Sequence, residues 1–264
     1  MIARRALAAL FALALAAACT GTTGSALVAF PAYVAGPADA SETQSLAFTS
    51  GRGWDVVLDL AVLHVGGVYL NRSLPISGAQ ATSCTLPALY VAEVSGGTDI
   101  DVLSPRLQPL PALGEGTESL ALAGEVWLTS GDVNAGDDPT PIVQVHGVAA
   151  RGGVSREFGG VLTVGKNRAI PARDPAQPGA NPICKQRIVS PIPIRITPRD
   201  GGALVVRVDP RAWFANVDFS ALETDASGVG AFRDDSGDQP SIALFQAVRG
   251  SSGVYDFAWL PQAP

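Results

Sequence analysis

The sequence contains few of the residues that concentrate chemistry: two histidines, three cysteines and one methionine in 264 residues. Copper sites use histidine, cysteine and methionine side chains, and structural zinc sites use clustered cysteines and histidines. The sequence has no C-x-x-C pair and no Cys/His cluster, which argues against a zinc or redox centre. It also lacks a Gly-x-Ser-x-Gly nucleophile elbow, so a Ser-His-Asp triad would have to use His64 or His146.

Charged residues are scarce as well, at 16% of the chain, and the 24 acidic residues outnumber the 18 basic ones. Binding to the phosphate backbone of nucleic acids needs clustered Lys and Arg. We therefore expect no nucleic-acid partner. The 29 glycines and 20 prolines favour many short strands joined by turns over helices with charged outer faces.

The N-terminal residues have the features of a secretory signal. Arg4 and Arg5 precede an apolar run over 6–18, and this run is shorter than the roughly 20 residues that span a bilayer. The three small residues before Cys19 resemble the lipobox of bacterial prolipoproteins. This resemblance implies a signal peptide over 1–18, a lipid on Cys19 and attachment to a membrane. Because Thr20 rather than aspartate follows the cysteine, it also implies the outer membrane.

Two alternatives for the N-terminus remain open. An ordinary signal peptide could be cut after Ala18 or later, for instance after 38–40, or the run 6–35 could stay uncleaved as an anchor. If Cys19 carries a lipid, Cys84 and Cys184 form an even pair in an oxidising compartment, where disulfides persist. We therefore expect a disulfide between them, with two free buried thiols as the alternative.

From Leu46 onward apolar and other residues alternate with a period of two, which is typical of half-buried strands. Gly66-Gly67 marks a bend or bulge in the first of these strands. That strand should bury one face: Trp54, Val56, Leu58, Leu60 and Val62. Further strands are predicted over 89–95, 120–129, 142–150, 158–164, 187–197, 203–208, 242–248 and 254–259.

The segment 209–222 favours a short helical turn, with Asp209 as its cap and Pro210 at its first position. We predict an all-β fold, an antiparallel β-sandwich or a related barrel, with long loops and at most a short helical turn. A single domain is expected over 46–264. Residues 19–45 are predicted to be a lipid-anchor tether whose apolar middle could form a first strand.

Three stretches of the chain are similar to a group of uncharacterised bacterial envelope lipoproteins. They are GWDVVLDLAVLHVGGVYLN, GEVWL and VDPRAWFANVDF. This resemblance implies a location in the cell envelope and a β-sandwich fold. It assigns no catalytic residues.

The two histidines have different expected environments. His64 continues the predicted apolar face of Leu60 and Val62, which indicates a buried neutral imidazole or a metal ligand. His146 lies on a strand face with another polar residue, so we expect it to be partly exposed.

Acidic residues supply the other candidates. Oxygen-rich turns suit calcium, although acidic turns are also common as solvated loops; one such turn holds Asp132, Asn134, Asp137 and Asp138, and a second spans 234–238. Asp99 and Asp101 project to one side of an extended segment, which suits general acid and base catalysis, a cation or simply a wet strand face.

An aromatic stripe, Tyr255, Phe257 and Trp259, occupies one face of the last strand and would stack on sugars if exposed, or form core. These observations favour a non-catalytic envelope lipoprotein that presents a binding or assembly surface to a protein or glycan partner. A calcium- or copper-handling protein and a hydrolase acting on envelope or extracellular polymers are the alternatives. No cofactor is expected, apart from calcium if the protein handles metal ions.

Overall fold

The computed structural model describes residues 25–41, 45–74, 90–131, 139–164, 186–234 and 237–264. These ranges contain mainly β-strands, with one α-helix and two 3₁₀ helices. The strands are β1 (Leu27–Phe30), β2 (Ala32–Ala35), β3 (Leu46–Thr49), β4 (Asp55–Asn71), β5 (Tyr90–Asp101), β6 (Gln108–Pro109), β7 (Gly114–Thr117), β8 (Ala121–Trp127), β9 (Pro141–Arg151), β10 (Val154–Thr163), β11 (Ile188–Ile196), β12 (Ala203–Val208), β13 (Gly230–Phe232) and β14 (Tyr255–Leu260). The helices are α1 (Gln239–Val248) and the 3₁₀ helices Pro210–Phe214 and Phe219–Ala221.

The strands form two sheets that share one core. The larger sheet has the order β1-β7-β5-β4-β9-β10-β13, with β3 and β8 also paired to β4 and β11 paired to β8. The smaller sheet has the order β14-β12-β2-β6. Buried side chains from both sheets belong to a single hydrophobic cluster. This architecture confirms the predicted all-β fold, although the pairs β10–β13 and β12–β2 are parallel.

Strand β4 organises the larger sheet because it is 17 residues long and pairs with four other strands. Its pairing with β9 is irregular between Leu58 and Leu60. A bulge adds one residue and moves every later side chain to the opposite face. Ala61 and Leu63 are therefore buried, whereas Leu60 is 40% exposed. The prediction that Leu60 and Val62 continue the buried face of Val56 and Leu58 is wrong for this reason.

A second irregularity in β4 lies between Val65 and Gly67, in its pairing with β5. The predicted bend or bulge at Gly66-Gly67 is confirmed as an irregularity of the strand pairing. Before it, β4 pairs with β3 and β9, and after it with β8. Strand β5 pairs with β4 on both sides of it, over Val62–Val65 and Gly67–Asn71.

The N-terminal segment predicted as a tether contributes to both sheets through β1 and β2. It is also joined to the first 3₁₀ helix by an ion pair. Arg211 donates from both terminal nitrogens to Asp39, at 2.9 and 3.0 Å, and it also bonds Asp209. Residues 27–39 therefore pack as part of the folded domain.

Helix α1 occupies the segment 242–248 that alternation predicted as a strand, so that prediction is wrong. The Asp238 side chain accepts a hydrogen bond from the Ser241 amide at 2.6 Å, and Pro240 lies in the first turn. This N-cap and proline favour a helix. The predicted turn after Asp209 is confirmed as the 3₁₀ helix Pro210–Phe214. No helix in the described ranges has the length and apolar character needed to cross a membrane.

Candidate functional site

Three polar side chains form a hydrogen-bonded chain where β4 meets β5. His64 Nδ1 lies 2.7 Å from Asp99 Oδ1, and His64 Nε2 lies 2.9 Å from Ser130 Oγ. The imidazole therefore lies between a carboxylate and a hydroxyl, each within hydrogen-bond distance of a different ring nitrogen. This is the order of contacts of a Ser-His-Asp triad.

Two glycine pairs bring these residues together. His64 stands two residues before Gly66-Gly67 on β4, and Asp99 stands two residues after Gly96-Gly97 on β5. In the antiparallel pairing the two glycine pairs lie next to each other, and His64 is directly opposite Asp99. Residues directly opposite in an antiparallel pair point to the same face.

Ser130 reaches His64 only because position 97 has no side chain. A Cβ atom on Gly97 would lie 1.7 Å from Ser130 Oγ and 2.8 Å from His64 Nε2. Any larger residue would push the serine away from the imidazole. Ser130 itself is exposed and follows the end of β8.

The burial of the three groups differs. The His64 side chain is 13% exposed and that of Asp99 is 65% exposed. His64 thus lies on the polar, outward face of β4 rather than in the apolar core, because the bulge at Leu58–Leu60 reverses the two faces. Within the described ranges, no group of three or more His, Cys, Asp and Glu residues could hold a metal ion.

Asp101, the second predicted acid, has a structural environment of its own. Its Oδ1 accepts a hydrogen bond from the Leu103 amide at 2.9 Å, and its backbone exchanges two hydrogen bonds with the Gln108 amide group. Asp99 and Asp101 are both exposed. Each therefore has a different partner, and Asp99 acts with His64 rather than as half of a carboxylate pair.

His146, on β9, lies between two carboxylates from neighbouring strands. Its Nδ1 is 2.6 Å from Asp59 Oδ1 and its Nε2 is 3.1 Å from Glu157 Oε1. The hydrogen bond to Asp59 is the main cause that raises the pKa of His146 above its usual value of 6.5, and Glu157 adds to it. Because the carboxylates contact opposite sides of the ring, they favour the doubly protonated imidazole.

We expect this arrangement to make stability depend on pH. A raised pKa in the folded state means that protonated His146 stabilises the fold fully below about pH 6.5, and that this contribution is lost as the pH rises through the folded-state pKa. His146→Gln should therefore lower the free energy of unfolding more at pH 5.5 than at pH 8.5, measured by urea unfolding. Asp59→Asn should reduce the same dependence, and an effect of His146→Gln that is equal at both pH values would contradict the prediction.

The register of five neighbouring strands lines up a row of residues across one face of the large sheet. Directly paired neighbours share a face. From β1 through β7, β5, β4 and β8, the row is Ala29, Glu115, Glu93, Tyr69 and Glu125. Glu115 and Glu93, both exposed, lie directly opposite each other.

Aromatic rings flank this row. The Tyr69 ring centroid is 4.6 Å from that of Trp127 and 5.2 Å from that of Tyr90. Burial, and next the negative charges of Glu93 and Glu125, raise the pKa of the Tyr69 phenol. We call the set Glu93, Glu115, Glu125, Tyr69, Tyr90 and Trp127 the acidic–aromatic face.

Only part of the acidic–aromatic face is accessible. Glu125 is buried and accepts hydrogen bonds from Trp127 Nε1 and Ser190 Oγ, both at 3.2 Å. Glu93 and Glu115 instead line a groove of about 610 Å³ together with apolar residues. Leu27 and Tyr90, which are 86% and 42% exposed, line the same groove. The groove therefore combines two exposed carboxylates with exposed apolar surface.

The other residues that the sequence indicated as site candidates belong neither to the His64 hydrogen-bonded chain nor to the acidic–aromatic face. Trp259 is half-buried and packs edge-on against Phe30, at 5.0 Å between ring centroids. Tyr255 is buried and donates a hydrogen bond to the Val248 carbonyl. Outside the described residues lie Cys19, Cys84, Cys184, Asp132, Asn134, Asp137 and Asp138. In the second acidic turn, Asp234 accepts hydrogen bonds from Thr163 and Asp238 caps α1.

Sequence reasoning did not select Ser130 or the carboxylates Glu93 and Glu115. The available signal was the pair of motifs His64-x-Gly-Gly and Gly-Gly-x-Asp99, whose antiparallel alignment puts the histidine opposite the aspartate. Nothing local marks Ser130, because its position depends on where β8 ends. Glu93 and Glu115 become neighbours only through the register of β5 and β7.

Comparison with known proteins adds little to this description. No family model matches the sequence, and no curated protein is significantly similar to it. Among solved structures, the chain is similar to MbnP from Methylosinus trichosporium, at 11% sequence identity and a TM-score of 0.35. The similarity covers 89% of this chain and 99% of that one. At these values it carries no inference about function.

Proposed function

We propose that the protein is a binding protein of the cell envelope, which holds a basic, partly apolar segment of a partner protein on its acidic–aromatic face. The observation that carries this proposal is the direct pairing of Glu93 with Glu115 beside exposed apolar residues. The net charge of −6 adds to it, because an acidic protein attracts cationic partners over a distance of about one Debye length, some 8–10 Å at moderate salt.

The opposed carboxylates give the face a reason to bind a cation. Like charges directly opposite each other on neighbouring strands destabilise a sheet by about 0.2–1 kcal/mol. A lysine or arginine placed between Glu93 and Glu115 would relieve this repulsion. The ring of Tyr90 could then contact the same cation through its face, an interaction worth about 0.5–1 kcal/mol at exposed sites.

The apolar residues of the groove indicate that the ligand also has apolar side chains. Leu27 and Tyr90 expose surface that a purely ionic ligand would leave in water. Burial of apolar surface stabilises a complex by roughly 25 cal/mol per Å² before the costs of association. A segment that alternates basic and apolar side chains fits both requirements.

A titration of the full chain with a short Lys/Leu peptide tests this proposal by calorimetry. We expect binding that weakens with salt and at least tenfold weaker binding for the double variant Glu93→Gln, Glu115→Gln. The control is Glu223→Gln, Asp256→Asn, which removes the same charge from other exposed positions and should bind like the wild type. Equal weakening in both double variants would overturn the choice of this face, and binding of a neutral glycan without salt dependence would overturn the cationic ligand.

Calcium is the second candidate ligand, because two opposed carboxylates supply the oxygen ligands that this ion prefers. The same calorimetric titration with calcium chloride distinguishes the two candidates. If calcium binds to the wild type and not to the Glu93/Glu115 double variant, and the peptide does not bind, the protein handles calcium rather than a partner segment.

We further propose that a lipid on Cys19 attaches the protein to the outer membrane and that Cys84 and Cys184 form a disulfide. The support is the lipobox-like sequence and the even pair of remaining cysteines. Intact mass measurement of the membrane-extracted protein should give a chain that begins at Cys19 with added acyl groups. Alkylation should label Cys84 and Cys184 only after reduction, and a mass without lipid would contradict the anchor.

A further inference from the structure

We propose that Ser130, His64 and Asp99 form an acyl-transfer site that hydrolyses small carboxylic esters. This activity is separate from the proposed binding function, since the variants that test it leave Glu93 and Glu115 in place. It rests on the linked contacts Asp99–His64–Ser130, at 2.7 and 2.9 Å.

The hydrogen bonds give each group a distinct role. A carboxylate only accepts, so Asp99 accepts from the Nδ1–H of His64 and holds the ring in one tautomer. The Nε2 lone pair then faces Ser130 and can accept the hydroxyl proton. His64 is the general base, Ser130 the nucleophile and Asp99 the positioning residue.

The surroundings of Ser130 leave space for an acyl group. The serine is exposed, and among the described residues a Cβ atom on the next residue, Gly131, would meet no atom within 4 Å. Gly97 on the other side keeps Ser130 Oγ in contact with the imidazole. An ester carbonyl can therefore approach the hydroxyl from solvent without displacing a strand.

The reaction needs only an ester and water. Ser130 Oγ forms a bond to the carbonyl carbon as its proton moves to His64 Nε2, and that proton passes to the leaving oxygen as the alcohol departs. Water then attacks the acyl group on Ser130 and gives a proton to His64, which returns it to the serine oxygen as the carboxylic acid leaves. One ester and one water become one alcohol and one acid.

The exposure of Asp99 predicts which esters react. With its side chain 65% exposed, water competes with His64 for the carboxylate, which weakens the orientation of the ring. Esters with good leaving groups depend least on such orientation, so short-chain aryl esters are the expected substrates. Asp99→Asn should lower kcat/KM about tenfold, less than the roughly 10⁴-fold loss known for a buried triad aspartate.

Covalent labelling with a fluorophosphonate and hydrolysis of p-nitrophenyl acetate test the proposal on the full chain. Ser130→Ala and His64→Gln should each abolish labelling and lower kcat/KM at least 100-fold. The matched controls are Ser227→Ala, which removes an exposed serine bonded to Asp225 without a histidine, and His146→Gln, which removes the other imidazole. Both controls should keep labelling and turnover.

Gly97→Ala provides a variant that retains all three reacting groups. Its Cβ would force Ser130 Oγ away from His64, so labelling should fall at least tenfold. Far-UV circular dichroism and thermal melting verify that each variant is folded. Turnover by Ser130→Ala equal to the wild type, or a fluorophosphonate adduct on a residue other than Ser130, would overturn the assignment. Ser130→Ala should bind the cationic peptide like the wild type. A failure of the esterase proposal can therefore be distinguished from a failure of the binding proposal.

Discussion

Replacing Phe158 with alanine is expected to lower the free energy of unfolding by about 3–5 kcal/mol. Phe158 lies on β10 and is fully buried. Its ring centroid is 4.8 Å from that of Phe219, 5.6 Å from that of Phe214 and 5.8 Å from that of Phe232. The variant would leave a cavity at the point where β10, β13 and both 3₁₀ helices meet.

The cluster around Phe158 has little freedom to close such a cavity. A Cβ atom on Gly147 of β9 would already lie 3.1 Å from Phe158 Cζ, so the ring fits against the backbone of the neighbouring strand. Paired strands hold that backbone in place, and a cavity that cannot collapse costs the most.

Urea unfolding of Phe158→Ala, Phe158→Leu and the wild type measures this effect. Leucine retains part of the buried volume, so its loss should be smaller than that of alanine. Leu113→Ala is the control, because Leu113 is 61% exposed and its removal should change stability by less than about 0.5 kcal/mol. If Phe158→Ala lowers the free energy of unfolding by less than about 1 kcal/mol, the prediction that this aromatic cluster stabilises the core is wrong.

Gly66→Ala is expected to destabilise the fold by about 3 kcal/mol or more, at the upper end of the cost of overpacking. A Cβ atom at this position would lie 1.9 Å from the Thr129 carbonyl oxygen, 2.2 Å from its carbon and 2.7 Å from the Ser130 nitrogen. All three are backbone atoms, so no side-chain rotation can relieve the overlap. The end of β8 would have to move away from β4, at the expense of the packing between them.

The same substitution should also affect the proposed esterase site. Because the added methyl group displaces Thr129 and Ser130, Gly66→Ala should lose fluorophosphonate labelling even where it remains folded. The control is Gly237→Ala, since a Cβ atom there meets no atom of the described part of the chain within 4 Å and its backbone does not have a positive φ. That variant should be neutral or slightly more stable. Equal unfolding midpoints for the two variants would contradict the close contact at Gly66.

The alternation of apolar and polar residues predicted the strands well where one face of the strand is exposed to solvent and the other is buried. The alternation in Val56 and Leu58, the turn at Asp209-Pro210 and the bend at Gly66-Gly67 all correspond to features of the structure. The prediction failed at 242–248, where seven residues fit either a short strand or one side of a helix. The decisive signal there was the Asp238 cap with Pro240, which lies just outside the apolar run.

The candidate sites depend on bulges and strand register, which the alternation of apolar and polar residues along one strand does not predict. One bulge residue near Leu58–Leu60 put His64 on the outward face instead of the apolar one. The sequence indicated His64 and Asp99 as separate candidates, and only the register of β4 with β5 made them partners. Ser130 joined them because β8 ends beside Gly66 and Gly97.

The sequence by itself determined the all-β class, because alternating apolar residues, frequent turn residues and few charges leave two layered sheets as the way to bury the apolar faces. Only the tertiary structure decided which polar residues meet. His64, Asp99 and Ser130, like Glu93 and Glu115, come from different segments of the chain. Their proximity follows from strand register and bulges, which are set by packing across the whole sheet and not by the local sequence of any one strand.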